Sequence, residues 1–423
     1  MSEPILEVQD LRVHFSVFKG FLQRLLGGGE AKVHAVDGVT FSLREGEVFG
    51  LVGESGCGKT TIARTLVGLV RPTSGRIRYR GKDVNIADKK SRFQLQQRIQ
   101  MVYQDPHAAL SPAMTVGEAI ADVFRTHGII NERGMRIPAT SEEVVRKAAL
   151  RALADVGLRP PEFFYAKYPD ELSGGQKQRV VAARVLALRP RIIIADEPVA
   201  MLDMSVRARM LEFLLELKDR YHLTYIFITH DLATAKFMCT RIAIMYLGRI
   251  VEAGPAKTIY ADPKHPYTRA LLQAIPIPDP ERRTQKVLPR GEVPNAVWPP
   301  AGCRFHPRCP AALATCGWEG RDFVSFLEER WLPSDMKAEE SELGPVEAWE
   351  PADFEVRRES SSDENPSRIA DRVRQILSES GGPMAQAVTA VAVEADEVVV
   401  RFRRPDLLAP KEVDGRIVEC LLY

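Results

Sequence analysis

Apolar and polar positions alternate first at strand spacing. Residues 5–15 (ILEVQDLRVHF) and 33–52 (VHAVDGVTFSLREGEVFGLV) read as strands. The segment between them (FKGFLQRLLGGGEAK) holds a short apolar patch and a glycine run, and reads as a loop. From Gly53 the pattern becomes strand, glycine-rich turn, helix. Residues 141–158 predict a helix: Thr140 and Glu143 are spaced for a capping box, Val145, Ala148, Ala149, Ala152 and Val156 share a face, and Gly157 stops it. Residues 176–188 (QKQRVVAARVLAL) predict a second helix, ended by Pro190. IIIADE (192–197) and TYIFITHD (224–231) are short apolar runs of the kind found in strands covered on both faces. Strands alternating with helices imply an α/β fold with a parallel sheet. Beyond about residue 255 proline becomes frequent. Residues 335–366 are acidic and serine-rich, and read as a flexible linker. Residues 368–380 predict an amphipathic helix with Ile369, Val373, Ile376 and Leu377 on one side, and 387–402 predict strands.

Composition narrows the class. A chain of 423 residues implies more than one domain. Fifty-eight basic against 56 acidic residues leave a formal charge of +2, which gives no argument for nucleic acid as a partner. No apolar run approaches the ~20 residues of a spanning helix. The first residues, MSEPILEVQDLRVHF, lack the apolar core of a signal peptide, so a cytosolic protein is expected. Six cysteines in such a compartment argue against structural disulfides. Cys57 and Cys239 read as small buried hydrophobes. Cys303, Cys309 and Cys316 cluster in GCRFHPRCPAALATC, and Cys420 lies far away in sequence.

GESGCGKTT, Gly53 to Thr61, has the spacing of a phosphate-binding loop. Gly53, Gly56 and Gly58 let successive N–H groups, those of Ser55 and Cys57 among them, turn toward phosphate oxygens. The following helix presents its N-terminus to the same anion. Lys59 supplies a charge for the β- and γ-phosphates, and the hydroxyl of Thr60, followed by Thr61, offers an Mg²⁺ ligand. Asp196 ends an apolar strand where it can hold Mg²⁺, and Glu197 can act as general base on the attacking water. LSGGQKQR (172–179) opens a helix with Ser173, Gly174, Gly175 and Gln176, a second anion-binding terminus. Two such cradles suggest a sandwich, each chain closing on the nucleotide held by its partner.

These motifs, with His230 in FITHD, resemble the nucleotide-binding subunits of ABC transporters over about residues 5–330. The resemblance implies a P-loop ATPase core with an antiparallel β subdomain and a helical subdomain. It implies roles for Gln104 (lid-loop glutamine, Mg²⁺ and water), His230 (γ-phosphate switch), Asp203 (dimer loop) and Phe15 (adenine stacking), with His34 a rival for the adenine. Met201 stands where the family more often has serine. Residues 105–170 resemble the helical subdomain that docks on the membrane subunits.

VHFSVFKG, MVYQDPHAALSPAMTVGEAI, HPYTRALLQAIPIPDP and GEVPNAVWPPAGCRFHPRCP are similar to the oligopeptide/dipeptide (and nickel) importers, in their F-type ATPase. That implies two membrane permease subunits, a second ATPase in a heterodimer, an external peptide-binding protein reached indirectly, and a peripheral place on the cytoplasmic face of the membrane. Nickel or another small solute, and a soluble ABC ATPase, are the alternatives. The resemblance also implies a [4Fe–4S] cluster on four cysteines, with Zn²⁺ the alternative. GRIVECLLY resembles the string that carries the subfamily's fourth cysteine, so Cys420 is expected to return to Cys303, Cys309 and Cys316. The resulting division is a nucleotide-binding domain over 1–260, a cysteine-bearing extension over 261–334, a linker over 335–366, and an insertion with terminal strands over 367–423.

Overall fold

The computed structural model describes residues 3–17, 31–105, 109–130, 135–139, 141–275, 289, 291–332 and 337–423. The chain divides into two units, Met1–Tyr260 and Ala261–Tyr423.

In the first unit, β1 (Pro4–Ser16) pairs antiparallel with β2 (Lys32–Arg44) and with β4 (Ser74–Tyr79), and β5 (Lys82–Asp83) extends that sheet. A second sheet runs in the order β12 (Arg249–Pro255), β11 (Arg241–Tyr246), β3 (Val48–Val52), β10 (Thr224–Thr229), β9 (Ile192–Asp196) and β6 (Ile99–Val102). The neighbours from β11 to β6 are parallel, and β12 is antiparallel to β11. All five residues of β3 and of β9 are buried, as expected of strands covered on both faces. Leu6, Leu11, Val36 and Phe41 of the antiparallel sheet share one core with Leu51, Ile62, Ile194 and Ile228.

Helices Val116–His127, Glu142–Asp155 and Pro161–Tyr165, with the short antiparallel pair β7 (Ile129–Ile130) and β8 (Arg136–Ile137), lie between β6 and β9 in the chain. The helix expected over 141–158 is capped by Ser141, whose hydroxyl accepts from the Val144 amide, and Thr140 lies outside the described residues. The second expected helix spans Gly174–Ala187, two residues earlier than its apolar pattern begins, because Ser173 caps it. Most of the glycine-rich loop read between β1 and β2 also lies outside the described residues. At its base the Val17 amide donates to the Ala31 carbonyl at 2.8 Å.

In the second unit, an antiparallel sheet runs β13 (Glu350–Pro351), β14 (Glu355–Glu359), β16 (Glu397–Phe402), β15 (Val388–Glu394). Helices Gly320–Trp331 and Pro366–Ser380 give its core Phe323, Leu327, Ile369, Val373 and Ile376, against Val356, Val398 and Val400 of the strands. A hairpin of β17 (Lys411–Val413) and β18 (Arg416–Val418) follows. The expected linker differs from what forms. Within 335–366 the described residues hold a helix at Lys337–Leu343 and the strands β13 and β14. Glu339 of this segment pairs with basic side chains outside it, Arg330 at 2.6 Å and Arg372 at 2.7 Å. Trp349 and Val356 supply the apolar anchors, at 2% and 0% exposure. Composition averaged over the segment hid these few residues.

Candidate functional site

The loop after β3 turns directly into the helix Lys59–Leu66. Gly58 sits at φ 106°, and a Cβ there would fall 2.1 Å from the Ala35 carbonyl, so only glycine fits. Lys59 is buried, and its Nζ donates to the carbonyls of Gly53 (2.8 Å) and Glu54 (2.9 Å). That leaves the ammonium inside the loop's curve. Ser55 and Gly56 are exposed and Cys57 is buried. Burial pushes the Cys57 thiol up, against the pull of Lys59.

Parallel pairing places the ends of β9 and β10 beside that loop. Asp196, the last residue of β9, accepts from the Thr60 hydroxyl at 3.2 Å. Burial raises its pKa, partly offset by the Thr60 bond and Lys59. Glu197 adopts φ 46°, a left-handed conformation that costs a non-glycine residue energy and collects at functional positions. Its amide donates to the Ile228 carbonyl at 2.9 Å, which fixes the turn. The turned carboxylate meets two predicted partners: His230 Nδ1 is 3.0 Å from Oε1, and Gln104 Nε2 donates to Oε2 at 3.2 Å. Thr60, Gln104, Asp196, Glu197 and His230 therefore converge, although 170 residues of chain separate the first from the last.

The other predicted residues lie apart from this cluster. Ser173 and Gln176 form a reciprocal cap, with Gln176 N to Ser173 Oγ at 3.3 Å and Ser173 N to Gln176 Oε1 at 3.0 Å. Ser173 and Gly174 are exposed at the start of a 14-residue helix, which leaves a surface helix terminus facing outward from its own chain. Asp203 caps the next helix, Met204–Tyr221, and Phe15 is 42% exposed near the end of β1. One link escaped the sequence. Arg207 donates to the Leu202 carbonyl at 3.3 Å and lies 3.8 Å from Asp231, the cap of the helix after His230. It ties the loop of Asp203 to the segment of His230. Its spacing one helical turn after Asp203 was the available signal.

In the second unit, Cys303, Cys316 and Cys420 are buried and Cys309 is half-buried. Burial, and then the neighbouring thiols of Cys316, Cys420 and Cys309, push the Cys303 thiol up. Cys309 is raised to about 11, mainly by burial and further by Cys420 and Cys316. The chain's last residues thus bring Cys420 within electrostatic range of Cys303 and Cys309. The Cys303 amide donates to the Cys316 carbonyl at 2.9 Å. Gly317 permits that approach: its φ is 119°, and a Cβ would fall 2.1 Å from the Ala301 carbonyl. Buried His306 braces the turn, Nδ1 to the Cys303 carbonyl at 2.7 Å and Nε2 to Asp322 at 3.1 Å.

Two stretches of the chain match known families. Residues 36–200 match the ABC transporter family, and 251–316 match the oligopeptide/dipeptide transporter C-terminal region. The oligopeptide transport ATP-binding protein AppF of Bacillus subtilis is 42% identical over 320 residues, 74% of this chain and 92% of that one. This chain belongs to the oligopeptide/dipeptide transport ATP-binding protein family. The ATP-binding protein OppF of Salmonella typhimurium is 43% identical over 74% of this chain and 90% of its own length. The di/tripeptide transport ATP-binding protein DppF of Pseudomonas aeruginosa is 40% identical over 78% and 96%. As a member, this ATP-binding subunit is an ABC-type ATPase. About a quarter of it has no counterpart in those alignments.

Proposed function

We propose that this subunit hydrolyses ATP to power import of oligopeptides or dipeptides, working with two permease subunits and a second ATPase subunit in a heterodimer. The observation that carries the reading is the convergence of Thr60, Asp196, Glu197, Gln104 and His230 beside the phosphate loop. ATP would lie with its phosphates in the Gly53–Thr61 loop and its adenine against Phe15, and Lys59 would move from the Gly53 and Glu54 carbonyls onto phosphate oxygens. Mg²⁺, held by Thr60, Asp196 and Gln104, would neutralise phosphate charge. Glu197 would take the proton of the attacking water, oriented by His230 and Gln104. Ser173, Gly174, Gly175 and Gln176 would close on the partner's nucleotide, with Asp203 at the interface. No helix among the described residues is long and apolar enough to cross a membrane, so the permeases would hold the subunit at the cytoplasmic face. The test is the assembly reconstituted in vesicles. Peptide with its external binding protein should stimulate ATP hydrolysis and accumulate inside. Stimulation by nickel alone would favour the other substrate class.

We further propose that Cys303, Cys309, Cys316 and Cys420 hold a [4Fe–4S] cluster. Three buried thiols and a half-buried one cannot ionise side by side without a multiply charged cationic centre. A tetrahedral zinc would need its sulfurs about 3.8 Å apart. A [4Fe–4S] core takes four thiolates as a tetrahedral zinc does, so metal and sulfide content separate the two. Anaerobic purification should give a brown protein with about four iron and four sulfide per chain. A colourless protein with one zinc would overturn the cluster.

A further inference from the structure

We propose that His14, His34 and Asp37 bind a first-row transition-metal dication, zinc or an imidazole-preferring neighbour such as cobalt, nickel or copper. The site shares no ligand with the phosphate loop or the four cysteines, although Ala35, between His34 and Asp37, packs against Gly58 of that loop. His14 on β1 and His34 on β2 are direct cross-strand partners, their ring centroids 4.2 Å apart. In a regular strand, His34 and Asp37, three residues apart, would point to opposite faces. The ladder shifts register between the pairs Val13–Val36 and His14–His34. That bulge absorbs Ala35 and turns His34 and Asp37 to the same side.

The ligand atoms have coordination spacing. His14 Nε2 is 3.3 Å from Asp37 Oδ1, His34 Nδ1 is 3.8 Å from Oδ2, and all three groups offer atoms within 4.8 Å of one another. Ligands about 2.1 Å from a tetrahedral ion stand roughly 3.4 Å apart, so closing on the ion needs only side-chain adjustment. Asp37 is 6% exposed and the histidines are half-buried.

The neighbouring charges set the choice of ion. Arg12 Nη1 lies 3.0 Å from Asp37 Oδ1, and Arg249 Nη2 lies 3.9 Å from Oδ2. Arg12 also bonds Asp10 at 3.1 Å, so it keeps an anion when Asp37 turns to a metal. A hard ion such as Mg²⁺ or Ca²⁺ needs several oxygen ligands, and one carboxylate beside two guanidiniums does not supply them. Two imidazoles plus one carboxylate suit a borderline ion that gains from nitrogen.

The test uses the full chain, with Co²⁺ as an optical probe and Zn²⁺ by calorimetry. The wild type and the variant His14→Ala/His34→Ala carry the same cysteines, so their difference isolates this site. The wild type should bind one more equivalent, with a ligand-field spectrum lacking sulfur-to-metal charge transfer. The single variant His34→Gln should bind that equivalent at least roughly tenfold more weakly. It also serves if the double variant does not fold, since its imidazole is 31% exposed. Mg²⁺ in large excess should not compete. Equal stoichiometry and affinity in wild type and folded variant, or an extra equivalent ligated by sulfur, would overturn the site.

Discussion

Replacing Glu197 with Gln is the sharpest perturbation of the nucleotide site. The change keeps the volume of the side chain and an oxygen for the Gln104 amide, now 3.2 Å away. His230 Nδ1, 3.0 Å from Oε1, can still meet a polar atom through its other tautomer. The turn itself rests on the backbone bond from the Glu197 amide to the Ile228 carbonyl, which the substitution leaves alone. Glu197 is only 15% exposed in its side chain, so no bulk water replaces the lost base at that position. The variant should therefore bind ATP with unchanged affinity. Loss of a positioned general base costs about 10²- to 10⁴-fold in rate, or about 2.7–5.4 kcal/mol of barrier. The assay is single-turnover hydrolysis in the purified assembly, under conditions where this chain's nucleotide is the one labelled, with ATP binding measured in parallel. Turnover within threefold of wild type, with binding intact, would refute the assignment of Glu197.

Three further outcomes follow from the second unit. Cys420→Ser should lose iron and sulfide together on anaerobic purification; full retention would show that the terminus supplies no ligand. Trp349→Ala removes an indole at 2% exposure that packs edge-on against Phe323 at 5.3 Å, and should cost about 3–5 kcal/mol in denaturant unfolding of the second unit; no loss would mean the segment around it is not part of that core. Glu319 is raised from 4.5 to about 7, by burial first and then by Asp322. The folded chain thus keeps a proton that the unfolded chain releases, and stability falls as pH rises from about 4.5 through about 7. Glu319→Gln should flatten that fall, with a gain of up to about 3 kcal/mol at pH 8 and little change below pH 4.5, read from thermal midpoints across pH.

The sequence by itself determined the local chemistry. GESGCGKTT fixes a loop in which Gly58 alone tolerates the required φ and the nearby Ala35 carbonyl, and such constraints are contained in a few adjacent residues. The same holds for the Ser173 cap and the apolar strands β9 and β10. The helix at Pro366–Ser380 was legible because its apolar face repeats at helical spacing. The fold of Lys337–Glu359 was not, because its order comes from Trp349 and from Glu339 paired with Arg330 and Arg372, partners outside any local window. Only the tertiary structure turned Glu197 onto His230 and Gln104, brought Cys420 near Cys303, and used a bulge at Ala35 to set Asp37 beside two histidines. Spacing along the chain records periodicity and caps. It does not record which distant strand end arrives beside a side chain, since that is set by sheet register and by burial summed over the whole core.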